Sequence, residues 1–244
     1  MCGRYTLRKG FTKVVRENGS YSLSSADTEL LSQQERYNIA PTQESPILRK
    51  RLDVHDQLEV AFMRWGLIPS WAKSSRALTP MINARSETVA EKPAYRAAYQ
   101  RRRCLVPADG FYEWRKSKGA NHPFYFSMQD GAPFQMAGIW ESWIGENAET
   151  INSFTILTTY ANALLSKFHD RMPVILGPEQ IETWLESDVT RLSLEDRNHL
   201  FAPIDAELMQ CQPANPIVNN NRSDGPECLE APEVTPKSQL DLGF

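Results

Sequence analysis

Cys2 follows the initiator Met1 directly. Cysteine is small enough for an aminopeptidase to remove Met1, which would leave an α-amine and a thiol on adjacent carbons. An α-amine has a pKa of about 7.7–8.0, against about 10.4 for lysine, so a fair fraction is an uncharged nucleophile near neutral pH. Such an amine attacks an aldehyde to give a Schiff base, and the neighbouring thiol can close that product into a thiazolidine ring. The bland alternative is a cysteine that stands at position 2 by accident, so the reading depends on what else the chain supplies.

Several segments supply suitable groups. Asn83 and Arg85 in INARSE lie two residues apart, and in an extended segment they share a face. A guanidinium there suits bidentate recognition of phosphate; a turn-capping Asn and a salt-bridged Arg are the ordinary reading. Glu113 in DGFYEW sits among aromatics that would take it out of water, the setting of a usable general acid. A strand glutamate facing solvent is its alternative. His169 in KFHDRMPVIL falls at a predicted helix end beside Asp170 and Arg171, which suits an oriented imidazole that shuttles protons, or a helix cap. Pro41, Trp65 and Trp71 offer rigid or flat apolar surfaces near Arg4, Arg64 and Lys73. Bases stack on such surfaces while cations hold phosphates; the competing reading buries both tryptophans in the core.

Cys2, Cys104, Cys211 and Cys228 have no CxxC spacing, and the four histidines are equally dispersed. The expectation is a reduced protein with no metal and no cofactor. No apolar run reaches membrane-spanning length and MCGRYTLRKG is not a signal peptide, so an intracellular protein is expected. The formal net charge of −3 is unevenly spread: residues 1–120 carry +9 and residues 121–244 carry −12. A basic first half can present a phosphate-binding groove inside a slightly acidic molecule; two solvated faces would show the same asymmetry.

The elements that must position these residues are short. A strand is expected over 3–7, a helix over 11–18, and a polar surface loop over 20–35. PILRKRLD and QLEVAFMRW form a hairpin turning at His55-Asp56. The stretch from Trp65 to Glu87 is ordered but irregular, and 91–101 is helical up to Arg101-Arg102-Arg103. CLVPADGFYEW reads as strand, turn, strand. FYFSMQDGAPFQMAGIW reads as a second hairpin with Asp130-Gly131 at its turn. A strand over SFTILTT, a helix over 161–168, a strand at PVIL and two short helices within 178–201 follow. Without βαβ alternation the class is α+β: a mixed, mainly antiparallel curved sheet or β-barrel-like core with short helices around it. One domain is expected over 1–230, with a flexible tail over 231–244.

Taken together, MCGRYTL, RYNIAPTQ, RWGLIPSWAK, INARSETV, RRCLVPADGFYEW, FYFSM with QMAGIW, ILTTYAN, FHDRMPVIL and NNNRSDGPECLE resemble the SOS-response-associated peptidase (SRAP) family of abasic-site-processing proteins. They occur in the expected order over roughly residues 2–229. The resemblance implies a partner, single-stranded DNA with an abasic site, and a thiazolidine crosslink through Cys2. It implies that Asn83 positions the reacting end and the sugar, that Glu113 transfers protons, and that His169 assists the Schiff-base steps. Arg4 and Arg85 would hold phosphates, and Pro41 and Trp65 would pack against flanking bases. Thiol (auto)peptidase activity through Cys2 and His169, lyase scission through the same Schiff base, and a non-covalent reader of single strands stay open. A monomer working beside the replication machinery, off the membrane, completes the expectation. The loop at 116–121 and the 20–35 segment leave the fit around the lesion open.

Overall fold

The computed structural model describes residues 2–8, 21–51, 53–54, 56–75, 79–117, 120–186 and 188–231. The helix expected over 11–18, His55 of the predicted turn, the middle of the 116–121 loop and the tail from 232 lie outside them. In chain order the elements are β1 (Tyr5–Leu7), β2 (Ser22–Leu23), α1 (Ser25–Ser32), β3 (Arg36–Ile39), β4 (Glu44–Lys50), β5 (Gln57–Trp65) and β6 (Asn83–Arg85). Then come α2 (Arg96–Arg101), β7 (Arg103–Ala108), β8 (Gly110–Ser117), β9 (Ala120–Met128), β10 (Phe134–Ile144) and β11 (Thr150–Tyr160). The last are β12 (Arg171–Pro173), β13 (Ile175–Leu176), α3 (Pro178–Glu186), α4 (Leu194–Leu200) and β14 (Met209–Pro213).

The strands form a nine-stranded and a five-stranded sheet. In the larger one β11, β10, β7, β4 and β5 follow one another, and β11 then pairs β5 in parallel at Ser153↔Arg64 and Phe154↔Trp65. That pairing closes five strands into a barrel-like ring and removes two free edges. β10 is buried on both faces from Phe134 to Ile139, as a strand walled in by neighbours must be. The smaller sheet runs β14-β9-β8-β1-β3 and is antiparallel throughout. One apolar core draws Trp65, Leu105, Met136 and Phe154 from the ring and Tyr5, Phe111 and Phe126 from the smaller sheet. The α+β class and the curved, mainly antiparallel core are therefore as the pattern of strands suggested.

Four local expectations need correction. The stretch 20–35 is not a loop: it holds β2 and α1. Its serines and aspartate are capping chemistry, since Ser24 Oγ accepts from Asp27 N–H at 3.0 Å and Asp27 Oδ1 accepts from Val60 N–H at 2.9 Å. The helix over 91–101 shrinks to α2, because Pro93 keeps Lys92 out of helical geometry. The helix over 161–168 is a single 3-10 turn at Leu165–Lys167, opened by Asn162 Oδ1 accepting from Leu165 N–H at 3.0 Å. Finally, β9 and β10 flank the Asp130-Gly131 turn without pairing: β9 joins β8 and β14, and β10 joins β7, β11 and β13. Hairpin pairing is a local signal, and here β9 instead pairs the preceding β8 and the distant β14, and β10 the following β11 and the distant β7.

Candidate active site

Residues 2–4 enter along β8. Tyr5 stands opposite Phe111 and Thr6 opposite Gly110, and Tyr112 N–H donates to Arg4 O at 3.0 Å. The same antiparallel register carries Gly3 and Cys2 back towards Glu113 and Trp114. Alternation on β8 puts Glu113 on the face of Phe111, which packs on Phe126 in the core, while Tyr112 and Trp114 face the other way. Glu113 is accordingly only 4% exposed, and Cys2 is fully buried.

The position of Cys2 is set by Asn83, whose Nδ2 donates to Cys2 O at 2.8 Å. The bond also settles which end of the amide faces Cys2, since a carbonyl can only accept. Asn83 Oδ1 is buried and has no hydrogen-bond partner among the described residues. A buried acceptor left so costs about 1–3 kcal/mol. β6 carries Asn83 because it pairs β11 in parallel (Asn83↔Ile156, Arg85↔Thr158). Ala84 is buried on one face and Arg85 is exposed on the face of Asn83, as the two-residue spacing suggested. Burial first, and then the neighbouring Glu113, push the Cys2 thiol well above the usual thiol range.

His169 follows the 3-10 turn, and the residue before it, Phe168, packs on Phe124 at 4.8 Å between ring centroids. Phe124 is the cross-strand partner of Glu113, so the segment bearing the imidazole docks beside the strand bearing the carboxyl. Nδ1 accepts from Arg171 N–H at 3.0 Å and lies 2.8 Å from Asp170 Oδ1. One nitrogen cannot accept and donate at once, so the neutral ring accepts from Arg171 and keeps its proton on Nε2. The protonated ring instead faces the largely exposed Asp170. Arg171 is itself locked, bidentate on Glu87 at 2.6 and 2.8 Å and bonded to Thr158 O at 2.5 Å. Burial works against charge on Glu87, and its Arg171 bonds outweigh that, holding the carboxyl below its ordinary range.

The residues read as DNA contacts separate into different environments. Trp65 is fully buried, edge-on to Tyr5 at 5.1 Å, with Nε1 donating to Ile82 O at 2.9 Å. It is packed into the core, whereas the expectation set it against flanking bases. Gly66, at φ +124°, then turns the chain outward, and Trp71 emerges 62% exposed. Pro41 is half-buried in the turn 40–43, which is pinned to the Trp65 backbone at Thr42 N–H to Trp65 O, 2.8 Å. Thr42 holds φ +72°, which is strained for a β-branched residue. Arg4 commits Nη1 to Asn38 Oδ1 and Val218 O, at 2.8 and 2.6 Å.

Sequence reasoning missed the clamp behind Arg4. Asn38 Nδ2 donates to Ser223 O at 2.7 Å, and Asp224 accepts from Tyr37 N–H and Asn38 N–H at 2.6 and 2.7 Å. NNNRSDGPE thus straps β3 to the entry of the chain across 186 positions, a separation no local spacing can signal. Among the described residues no His/Cys/Asp/Glu cluster could hold a metal ion, and no helix is long and apolar enough to cross a membrane.

Fold and site together define an α+β protein with a five-strand ring, in which Cys2 is buried against the Asn83 amide and near the Glu113 carboxyl, and the segment bearing His169 docks beside the strand of Glu113. The family model described as SOS response associated peptidase (SRAP) matches residues 1–221. The abasic site processing protein YoaM of Bacillus subtilis (strain 168) is 33% identical over 95% of this chain and 98% of its own. The abasic site processing protein HMCES of Xenopus tropicalis is 33% identical over 97% of this chain and 80% of its own. A crystal structure of a protein from Bacteroides thetaiotaomicron superposes with a TM-score of 0.73 at 27% identity, covering 94% of this chain and 99% of that one. The chain belongs to the SRAP family.

Proposed function

We propose that the chain binds single-stranded DNA at abasic sites and, once Met1 is removed, captures the lesion's aldehyde as a thiazolidine on Cys2. The observation that carries this reading is the Asn83 amide, with its donor on Cys2 O and its acceptor buried and open, next to Glu113 and the buried thiol. Relatives named abasic site processing proteins, matched along nearly their whole length, support the substrate class.

The steps balance without a cofactor. Glu113 assists opening of the deoxyribose to its aldehyde. The Cys2 amine nitrogen adds to the aldehyde carbon, and loss of one water leaves the Schiff base. The sulfur then adds to the same carbon and the thiol proton passes to the nitrogen, so amine, thiol and aldehyde become thiazolidine and water. A thiol held protonated by burial suits this order, because the amine acts first and the sulfur closes the ring. His169, with its proton on Nε2, serves proton transfer at the Schiff base. Arg85 and Arg4 face phosphates, and Trp71 and Pro41 meet flanking bases.

The test is a denaturing gel after heating, without borohydride, of mature protein and a single strand bearing one abasic site. A heat-stable shifted band that requires both the lesion and Cys2 supports capture. Retained strand binding with no such band sinks it in favour of a non-covalent reader, and strand scission in its place would indicate a lyase.

A further inference from the structure

Two basic runs lie far apart in sequence, Arg49-Lys50-Arg51 at the end of β4 and Arg101-Arg102-Arg103 at the end of α2. β4 pairs β7 at Leu48↔Leu105, and continuing that register brings Lys50 opposite Arg103. The two runs meet around a cavity of about 520 Å³ whose cationic lining is Arg49, Lys50, Arg51, Arg101 and Arg103, with Trp140 as its flat wall. Arg102 alone turns away, to the buried Glu141.

Most of the cations are held in place, three of them by carboxylates. Arg49 lies over the Trp140 ring at 4.7 Å, and Arg103 is fixed by Trp184 O at 2.5 Å and Gln100 O at 2.9 Å. Arg101 is exposed and has no carboxylate partner among the described residues. Arg49 pairs with Glu59, Lys50 with Glu186 and Arg51 with Asp53, but these side chains are about a third exposed or more. Such pairs are weak and exchange readily for a stronger anion. Only Asp53 and Glu59 supply negative charge to the lining, against five cations, in a chain whose net charge is −3.

The geometry points to a second DNA-binding site here, one that holds backbone phosphates away from the lesion. Glu59 of the lining and Trp65, which packs on Tyr5 next to the entering chain, lie on the same strand, six residues or about 20 Å apart, so the cavity is separate from the Cys2 site. The guanidinium of Arg103 is spent on backbone carbonyls of Tyr99, Gln100, Trp184 and Leu185, so the groups left to meet phosphodiester oxygens are those of Arg51 and Arg101, with Arg49 and Lys50 beside them. With Arg49 covering one Trp140 face, the site reads charge and not bases. This inference rests on the DNA-binding half of the proposed function and is independent of covalent capture.

Undamaged single strands of about 5 and about 16 nucleotides bracket the span such sites cover, and their affinities can be followed by fluorescence anisotropy over a salt series. Wild type should gain affinity with length. In R51E/R101E that gain should fall several-fold, and the slope of log K against log salt on the longer strand should flatten by about 0.7 per phosphate lost. R51Q/R101Q should move both readouts the same way by less, which a misfolded protein would not do. Equal length gain and equal salt slope in wild type and variants would overturn the inference. So would pyrophosphate raising the melting temperature of wild type only, with the DNA slopes unchanged, since the site would then hold free anions. A lost length gain in a protein that forms no abasic-site adduct would sustain the cavity and sink the thiazolidine reading.

Discussion

At Asn83 a single hydrogen bond separates two explanations of the site. Asn83→Asp keeps the shape but sets a carboxylate oxygen against Cys2 O where an N–H now donates at 2.8 Å. Crosslinking to abasic DNA should fall at least tenfold while binding of intact strands persists, as a gel and a mobility shift read side by side would record. Glu113→Gln preserves volume and removes the proposed proton carrier. General acid–base groups contribute about 10²–10⁴-fold, so the rate of adduct formation should drop by that order with little change in strand affinity. The tryptophans divide by environment. Trp71→Ala should leave the melting temperature nearly unchanged and weaken strand binding by about 1–3 kcal/mol, the contribution of one stacked base. Trp65→Ala should cost about 3–5 kcal/mol of stability, because it empties the space between Tyr5 and Phe154. Equal effects of the two on binding by folded protein would contradict this division.

Among the elements, the passage from β7 to β8 matters most, since it carries the chain from the larger sheet into the smaller one and delivers Glu113. Asp109 at the corner bonds Thr6 Oγ1 and pairs with Arg8, and Tyr125 Oη donates to Asp109 O at 3.1 Å. A Cβ on Gly110 would sit 2.1 Å from Tyr125 Oη and 2.2 Å from its ring, so only glycine fits. Gly110→Ala should destabilise by about 1–3 kcal/mol through overpacking and displace β8. Thermal unfolding should show the loss, and adduct formation should fall even in the folded fraction because Glu113 moves with the strand. An alanine variant as stable and as active as the parent would mean that the corner tolerates a shift.

For the molecule as a whole, burial of proton-bearing groups predicts an asymmetric pH response. Burial, the largest influence in each case, raises the thiols of Cys2, Cys104 and Cys211, the last to about 12, and the phenols of Tyr5, Tyr112 and Tyr125. In the unfolded chain thiols lose protons near about 8.5 and phenols near about 10. The folded state keeps them, so above those values the unfolded chain binds fewer protons and gains relative stability. This contribution is intact below about pH 8 and declines as the pH rises. Melting temperatures measured from pH 7 to 10 should fall steadily towards the alkaline end; a flat profile would mean that these groups titrate normally when folded.

Much of the candidate site could be proposed from the sequence because the chemistry it would need is written in residue types. Cys2 behind Met1, the amide and guanidinium of INARSE, Glu113 among aromatics and His169 before a strand all carry a chemical signature without reference to the fold. The α+β class was legible for a similar reason, since alternation and turn residues are local. What the chain could not announce is which of two chemically suitable residues faces water. Trp65 and Trp71 are six positions apart and equally able to stack on a base; the pairing of β5 with β11 and the outward turn at Gly66 bury one and expose the other. Nor could spacing foretell that β9 and β10 would separate into different sheets, that Asp224 would clamp β3, or that two basic runs would share one cavity. Those contacts join residues tens to nearly two hundred positions apart. Only the closed chain decides them, because their energy comes from burial and pairing that no isolated segment can make.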